Sequence, residues 1–140
     1  TTAGRPAPIE ALFTGEDVMR FHDLVRKVPV AEEMVRYAVQ LAASSRPNQP
    51  GTPEFVNEWV SWGAGPRGVL TLVTCAKARA ILYGRYHATV GDVQAVAKPT
   101  LRHRIASNFA AQAANVNSEK LIDMLMEAVP ADKKYEKPAA

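Results

Sequence analysis

Apolar residues recur at helical spacing through most of the chain. Val18, Phe21, Val25 and Val28 repeat at three- and four-residue steps, which places them on one face of a helix over 15–27. Thr14, with Asp17 three residues on, supplies a capping box for its start. Val28-Pro29-Val30 then interrupts the pattern, because proline pushes the residue before it out of the α region. A second helix is predicted over 31–44, with Met34, Val35, Ala38, Leu41 and Ala42 apolar and Glu32 and Glu33 at its positive end. It stops in Arg46-Pro47-Asn48-Gln49-Pro50-Gly51, a loop by composition.

Thr52 as N-cap, Pro53 at the first helical position and Glu54 next mark the clearest helix start. This third helix is short, over 53–62, with Phe55, Trp59 and Trp62 on one face beside Val56 and Val60. Aromatic stripes at helical spacing usually belong to a core, and these are read so rather than as a stacking platform. The fourth helix, over 66–83, carries Val69, Leu72, Val73, Ala76, Ala80 and Tyr83 on one stripe, widened by Leu70, Ile81 and Leu82. It is therefore expected to be the central, most buried helix. Gly84 ends it.

Thr89 with Asp92 repeats the capping signature, and Val93, Val96, Ala97, Thr100 and Leu101 follow on one face of a fifth helix. Pro99 is expected to kink or end it. Residues 105–116, rich in Ala and Asn, fit either irregular or weakly helical backbone. Asn117 caps a last helix over 118–128 with Leu121, Ile122, Leu125 and Val129 apolar. The pattern adds up to an all-α fold, a small bundle of about six helices over 14–130. Gly4, Pro6 and Pro8 make 1–13 an extended connector, and the charged residues after Pro130 make 131–140 a flexible tail.

Composition narrows this little. At 140 residues, 47% hydrophobic and 22% charged, the chain suits one globular domain and excludes wholesale disorder. A net charge of +3 is compatible with nucleotide or nucleic-acid partners without selecting either. Cys75 is the only cysteine, so no internal disulfide forms and a reducing, cytoplasmic setting fits, with Cys75 filling core space. No run approaches 18 apolar residues and no signal-peptide core opens the chain, so no membrane partner is expected.

The chain is organised around Trp62-Gly63-Ala64-Gly65-Pro66-Arg67-Gly68, a sharp joint between two predicted helices. Arg67 falls in the first helical turn, where the helix dipole is of the wrong sign for a cation and gives it nothing locally. The placement makes sense if an anion arrives, met by free amides, the guanidinium and glycines that allow close approach. The competing reading is a tight helix–helix turn with an incidental surface arginine.

From Thr1 to about Pro130 the chain resembles the C-terminal part of MoxR-family AAA+ ATPases. The matching segments are Glu54-Phe55-Val56, then Trp59-Val60-Ser61-Trp62-Gly63-Ala64-Gly65-Pro66-Arg67, Ala76-Lys77-Ala78-Arg79-Ala80 and Leu101-Arg102-His103-Arg104-Ile105. The resemblance implies an AAA+ lid domain, with the joint as its sensor-2 motif: Arg67 meets the γ-phosphate of ATP, with Gly65, Pro66 and Gly68 at the nucleotide. Gly68 stands where the family pattern usually has Ala, at a cost of about 1 kcal/mol in helix propensity. The same resemblance implies a preceding α/β ATPase domain joined through the linker 1–13. It further implies ATP and Mg in the parent protein, a ring of subunits and remodelling or maturation of an unspecified client protein. Arg102, His103 and Arg104 are then the expected contact with a neighbouring subunit.

Chemistry that is missing limits what this chain does alone. No Gly-x-x-x-x-Gly-Lys-Ser/Thr loop cradles phosphates, and no apolar strand ends in an acidic pair for magnesium. The 140 residues are therefore expected not to hydrolyse ATP on their own, nor to bind it tightly. His22, His87 and His103 lack metal-ligand spacing, and no Gly-x-Ser-x-Gly marks a nucleophile, so neither a metal site nor a catalytic residue is expected. The basic set Lys77, Arg79, Arg85, Lys98, Arg102 and Arg104 is either a solvated face or a polyanion-binding one. Its second form defines the rival reading: a freestanding basic helical module binding nucleic acid or a protein partner, with residues 53–83 as a helix-turn-helix. Under the lid reading nucleic acid is not expected as a partner.

Overall fold

The computed structural model describes residues 10–129 and 131. The connector expected over 1–13 falls largely, and the tail over 131–140 almost wholly, outside the described residues. Helix α1 spans Gly15–Lys27 and α2 spans Glu32–Ser44. The capping box of Thr14 and Asp17 is formed, and the break at Pro29 sits between them. Helix α3 (Glu54–Trp59) runs into strand β1 (Val60–Trp62), followed by α4 (Pro66–Leu82) and α5 (Val90–Leu101). Strand β2 (Ala106–Ser107), α6 (Phe109–Ala113) and α7 (Ser118–Ala128) complete the order. The fold is all-α with one very small sheet, and the described residues hold seven helices rather than about six.

The difference arises at two places. The third helix ends at Trp59, not at 62, and Val60–Trp62 pairs antiparallel with Ala106–Ser107, the segment left open by the sequence. Asn108 is the residue that makes this possible. Its N–H donates to Trp59 O at 2.9 Å, its Nδ2 donates to Glu58 O at 2.6 Å, and its Oδ1 accepts from Ala111 N at 3.0 Å. One side chain thus closes the C-terminal end of α3 and caps α6. The strand between α3 and α4 removes the helix-turn-helix reading of residues 53–83. Pro53, not Thr52, is the N-cap of α3, and the Thr52 hydroxyl donates instead to Arg46 O at 2.8 Å.

Helix α4 lies against α1, α2 and α5. Its buried residues, Gly68, Leu72, Ala76 and Ala80, repeat every fourth position, and the small ones let neighbouring helices approach closely. The wider apolar stripe expected from the sequence is not buried: Leu70, Leu82 and Tyr83 are exposed, and Cys75 is half-buried. Tyr83 is covered on one face by the Arg79 guanidinium, 4.6 Å from the ring centroid. Gly84 takes φ +68 and ends the helix with Arg85 N bonded to Ala80 O.

Pro99 neither ends nor divides α5, which continues to Leu101. The carbonyl it deprives of a helical donor belongs to Ala95, an exposed residue, on the solvent side of the helix. At the start of α5 the capping box of Thr89 and Asp92 doubles as an ion centre: the fully buried Asp92 carboxylate receives the guanidinium groups of Arg79 and Arg85. Asn117 caps α7 as predicted, accepting from Lys120 N at 2.9 Å.

Candidate functional site

Ser45, just past α2, fastens the joint between β1 and α4. It is fully buried, its Oγ donating to Ala42 O at 2.7 Å and accepting the Ala64 N–H at 2.8 Å. Arg46 Nε donates to Ala64 O at 2.8 Å, so both backbone polar groups of Ala64 are held from the end of α2. Gly63 marks the closest approach. A Cβ there would lie 2.2 Å from Ser45 O and 2.7 Å from Arg46 Cα, a distance no side chain tolerates.

Beyond this anchor the backbone turns outward. Gly65 is the N-cap, extended at φ −91 and ψ −177 with no side-chain cap, and Pro66 opens the first turn. Arg67 is exposed, and among the described residues no hydrogen bond or ion pair engages its guanidinium. Its carbonyl accepts the Thr71 hydroxyl at 2.7 Å. Gly68 is buried, and a Cβ there would stand 3.3 Å from Ala64 Cβ, 3.5 Å from Leu101 Cδ2 and 3.6 Å from Arg104 Cδ. The end of α5 therefore rests directly on the first turn of α4.

That packing brings the two clusters singled out in the sequence to one place. Gly63 and Gly65 share the wall of a cavity of about 460 Å³ with Trp62, Arg102, His103 and Arg104. Pro66 and Arg67 follow directly on the wall residue Gly65 without lining the cavity themselves. The three members of the basic cluster differ. Arg102 is exposed, with a long 3.4 Å contact to Glu119 of α7; His103 is exposed; Arg104 is half-buried, its stem against Gly68. Arg104 Nη2 reaches Thr71 Oγ1 at 3.4 Å, and its Nε is buried without a partner among the described residues. Trp62, expected in the core with Phe55 and Trp59, is 73% exposed although Val60, two residues earlier in the same strand, is buried, because the pairing register with β2 shifts between the two and breaks the alternation of faces.

The arrangement is suited to holding an anion: glycine backbone on one side, and guanidinium groups of which Arg67 and Arg104 have no carboxylate partner among the described residues. Among the described residues no group of His, Cys, Asp or Glu could hold a metal ion, and no helix is long and apolar enough to cross a membrane. Ser45, Arg46 and Thr71 were not identifiable from the sequence. A serine and an arginine after a helix look like any loop residues, and only the tertiary approach of Gly63 gives them a role.

Comparison with known proteins adds a family match. Residues 54–124 match the model of the AAA lid domain. Chaperone MoxR1 of Mycobacterium tuberculosis is 30% identical over 125 residues, covering 89% of this chain and 33% of that protein. The uncharacterised protein YeaC of Bacillus subtilis is 26% identical over 121 residues, covering 86% and 35%. A crystal structure of an ATPase candidate from Cytophaga hutchinsonii superposes with a TM-score of 0.75 at 28% identity, covering 82% of this chain and 35% of that one. The chain thus spans about a third of the length of the relatives it matches.

Proposed function

Because this chain belongs to the AAA lid domain family, as the lid of a MoxR-like ATPase, we propose that it couples ATP binding and hydrolysis to chaperone-like remodelling or maturation of partner proteins. Magnesium ATP, used by the parent ATPase, would supply a γ-phosphate whose loss changes the charge in front of the lid. Arg67 is the sensor-2 residue that meets it. The observation that carries this reading is an exposed guanidinium, free among the described residues, on a turn held rigidly from Ser45 and Arg46.

Each residue of the turn has a part. Gly65 keeps side chains away from the approaching phosphate, Pro66 presets the first turn, and Arg67 donates, while Gly68, expected at the nucleotide, is buried and makes room for Leu101 and Arg104 instead. A charge-assisted contact of this kind contributes about 1.5 to 3 kcal/mol, enough to bias an open–closed lid equilibrium roughly tenfold or more. Loss of the phosphate releases the lid.

The lid would pack on the ATPase domain of its own chain and, in a ring, against a neighbouring subunit. Arg102 and His103, both exposed, are the parts of the basic cluster open to such a neighbour, with Arg104 behind them. We place the protein in the cytoplasm, consistent with its single, half-buried Cys75. The test is Arg67→Ala in a full-length protein carrying this lid. ATPase rate should fall while the melting temperature of the lid stays within a degree or two; an unchanged rate would remove the sensor-2 assignment.

A further inference from the structure

Arg104 is the oddest cation among the described residues. Its methylenes lie along α4, with Cδ 3.6 Å from where a Cβ on Gly68 would stand. This packing needs a long apolar stem but no guanidinium, so a structural role alone does not explain the residue. The head group makes one contact, 3.4 Å to Thr71 Oγ1, and its Nε is buried with no acceptor among the described residues. Burying a donor of a charged group without an acceptor is unfavourable, and native structures rarely keep one without a reason. Its surroundings point to that reason. Arg104 lines the cavity shared with Gly63 and Gly65, and the hydroxyl it touches donates to the Arg67 carbonyl at 2.7 Å. Thr71 thus joins the Arg104 head group to the backbone of Arg67 in the first turn of α4.

We propose that Arg104 is a second anion-binding residue of this site, its guanidinium donating to the polyphosphate chain whose terminal group Arg67 meets. This rests on the reading of the Arg67 turn as the nucleotide side of the lid. A polyphosphate fits better than a single carboxylate. Two separate guanidinium groups, neither with a carboxylate partner among the described residues, address oxygens spread along a chain, and the glycine wall leaves the room for it.

The probe is inorganic tripolyphosphate, titrated into the 140-residue chain while the arginine Nε–Hε signals are followed by NMR, with Arg104→Lys identifying its own signal. The Arg104 signal is expected to shift saturably. Arg104→Lys, which keeps a packed stem and a charge, should weaken binding threefold or more. Lys98→Ala, which removes a cation paired with Asp123 and outside that cavity, should change it less than twofold. A silent Arg104 signal, equal effects of the two substitutions, or no saturation overturns the proposal. A shift of the Arg104 signal on raising protein concentration without tripolyphosphate would assign the Nε to a carboxylate of another copy, and overturns it too. Arg67→Ala separates the two readings. Weakened binding with a silent Arg104 signal leaves Arg67 standing and removes Arg104, whereas unchanged affinity with a shifting Arg104 signal does the reverse.

Discussion

Gly63 lies so close to Ser45 that a single methyl group on it would stand 2.2 Å from the Ser45 carbonyl oxygen. This contact is between backbones, so rotamer changes cannot relieve it. Gly63→Ala must move either β1 or the end of α2 and should destabilise the domain by about 2 to 3 kcal/mol. Gly65 is the control. A Cβ there meets nothing within 4 Å and its φ of −91 suits any residue, so Gly65→Ala should fall within about 0.5 kcal/mol of wild type. Chemical denaturation of both variants checks the contrast, and equal costs would mean that the close approach is not what holds the turn.

Ser45→Ala attacks the same joint from the other side. The substitution leaves the buried Ala64 N–H without its 2.8 Å acceptor, at a cost of about 1 to 3 kcal/mol. Hydrogen exchange should show the loss locally, with faster exchange at Ala64 before any change at the caps of α5 or α7.

How far the sequence carries the fold follows from where its signals are local. Thr14 with Asp17, Thr89 with Asp92 and Asn117 are caps whose partners lie three residues away, and all three form as read. Trp62 and Leu70 were misread because helical periodicity counts apolar residues without knowing what faces them. Trp62 sits in a strand paired with a segment 44 or more residues later, and Leu70 is 68% exposed on α4. The site divides the same way. Arg67 and its glycines form a contiguous motif and were legible. The meeting of Gly68 with Arg104 depends on α4 crossing α5, and no spacing announces it.

Arg67→Lys should restore only part of what Arg67→Ala removes. Lysine keeps the charge and, being a good helix former, leaves the first turn intact, but its point charge lacks the planar fork that binds two phosphate oxygens at once. In a full-length protein carrying this lid, ATPase rate is expected to rank arginine, lysine, alanine, with melting temperatures alike. A lysine variant as active as wild type would mean that charge alone suffices.

Asp92 sets the acid limit of the domain. The Arg85 guanidinium beside it, then the Thr89 N–H and Arg79, hold its carboxyl well below the ordinary value of 3.8, against an opposing push from burial. A carboxyl with a lowered folded-state pKa contributes stability that is fully present above the unfolded value and is lost as pH falls through that value toward the folded one. Unfolding free energy should therefore be flat in this contribution from neutrality to about pH 5 and decline below about pH 4. Asp92→Asn removes the charge at every pH and leaves Arg79 and Arg85, each about a third exposed, facing an amide. Because both can turn to water, the cost at pH 7 should sit near the low end for broken buried pairs, about 3 kcal/mol. The difference between wild type and variant should then narrow as pH falls from 4 to 2. A gap that stays constant over that range would show that Asp92 stabilises α5 as a hydrogen-bonding cap and not as a charge.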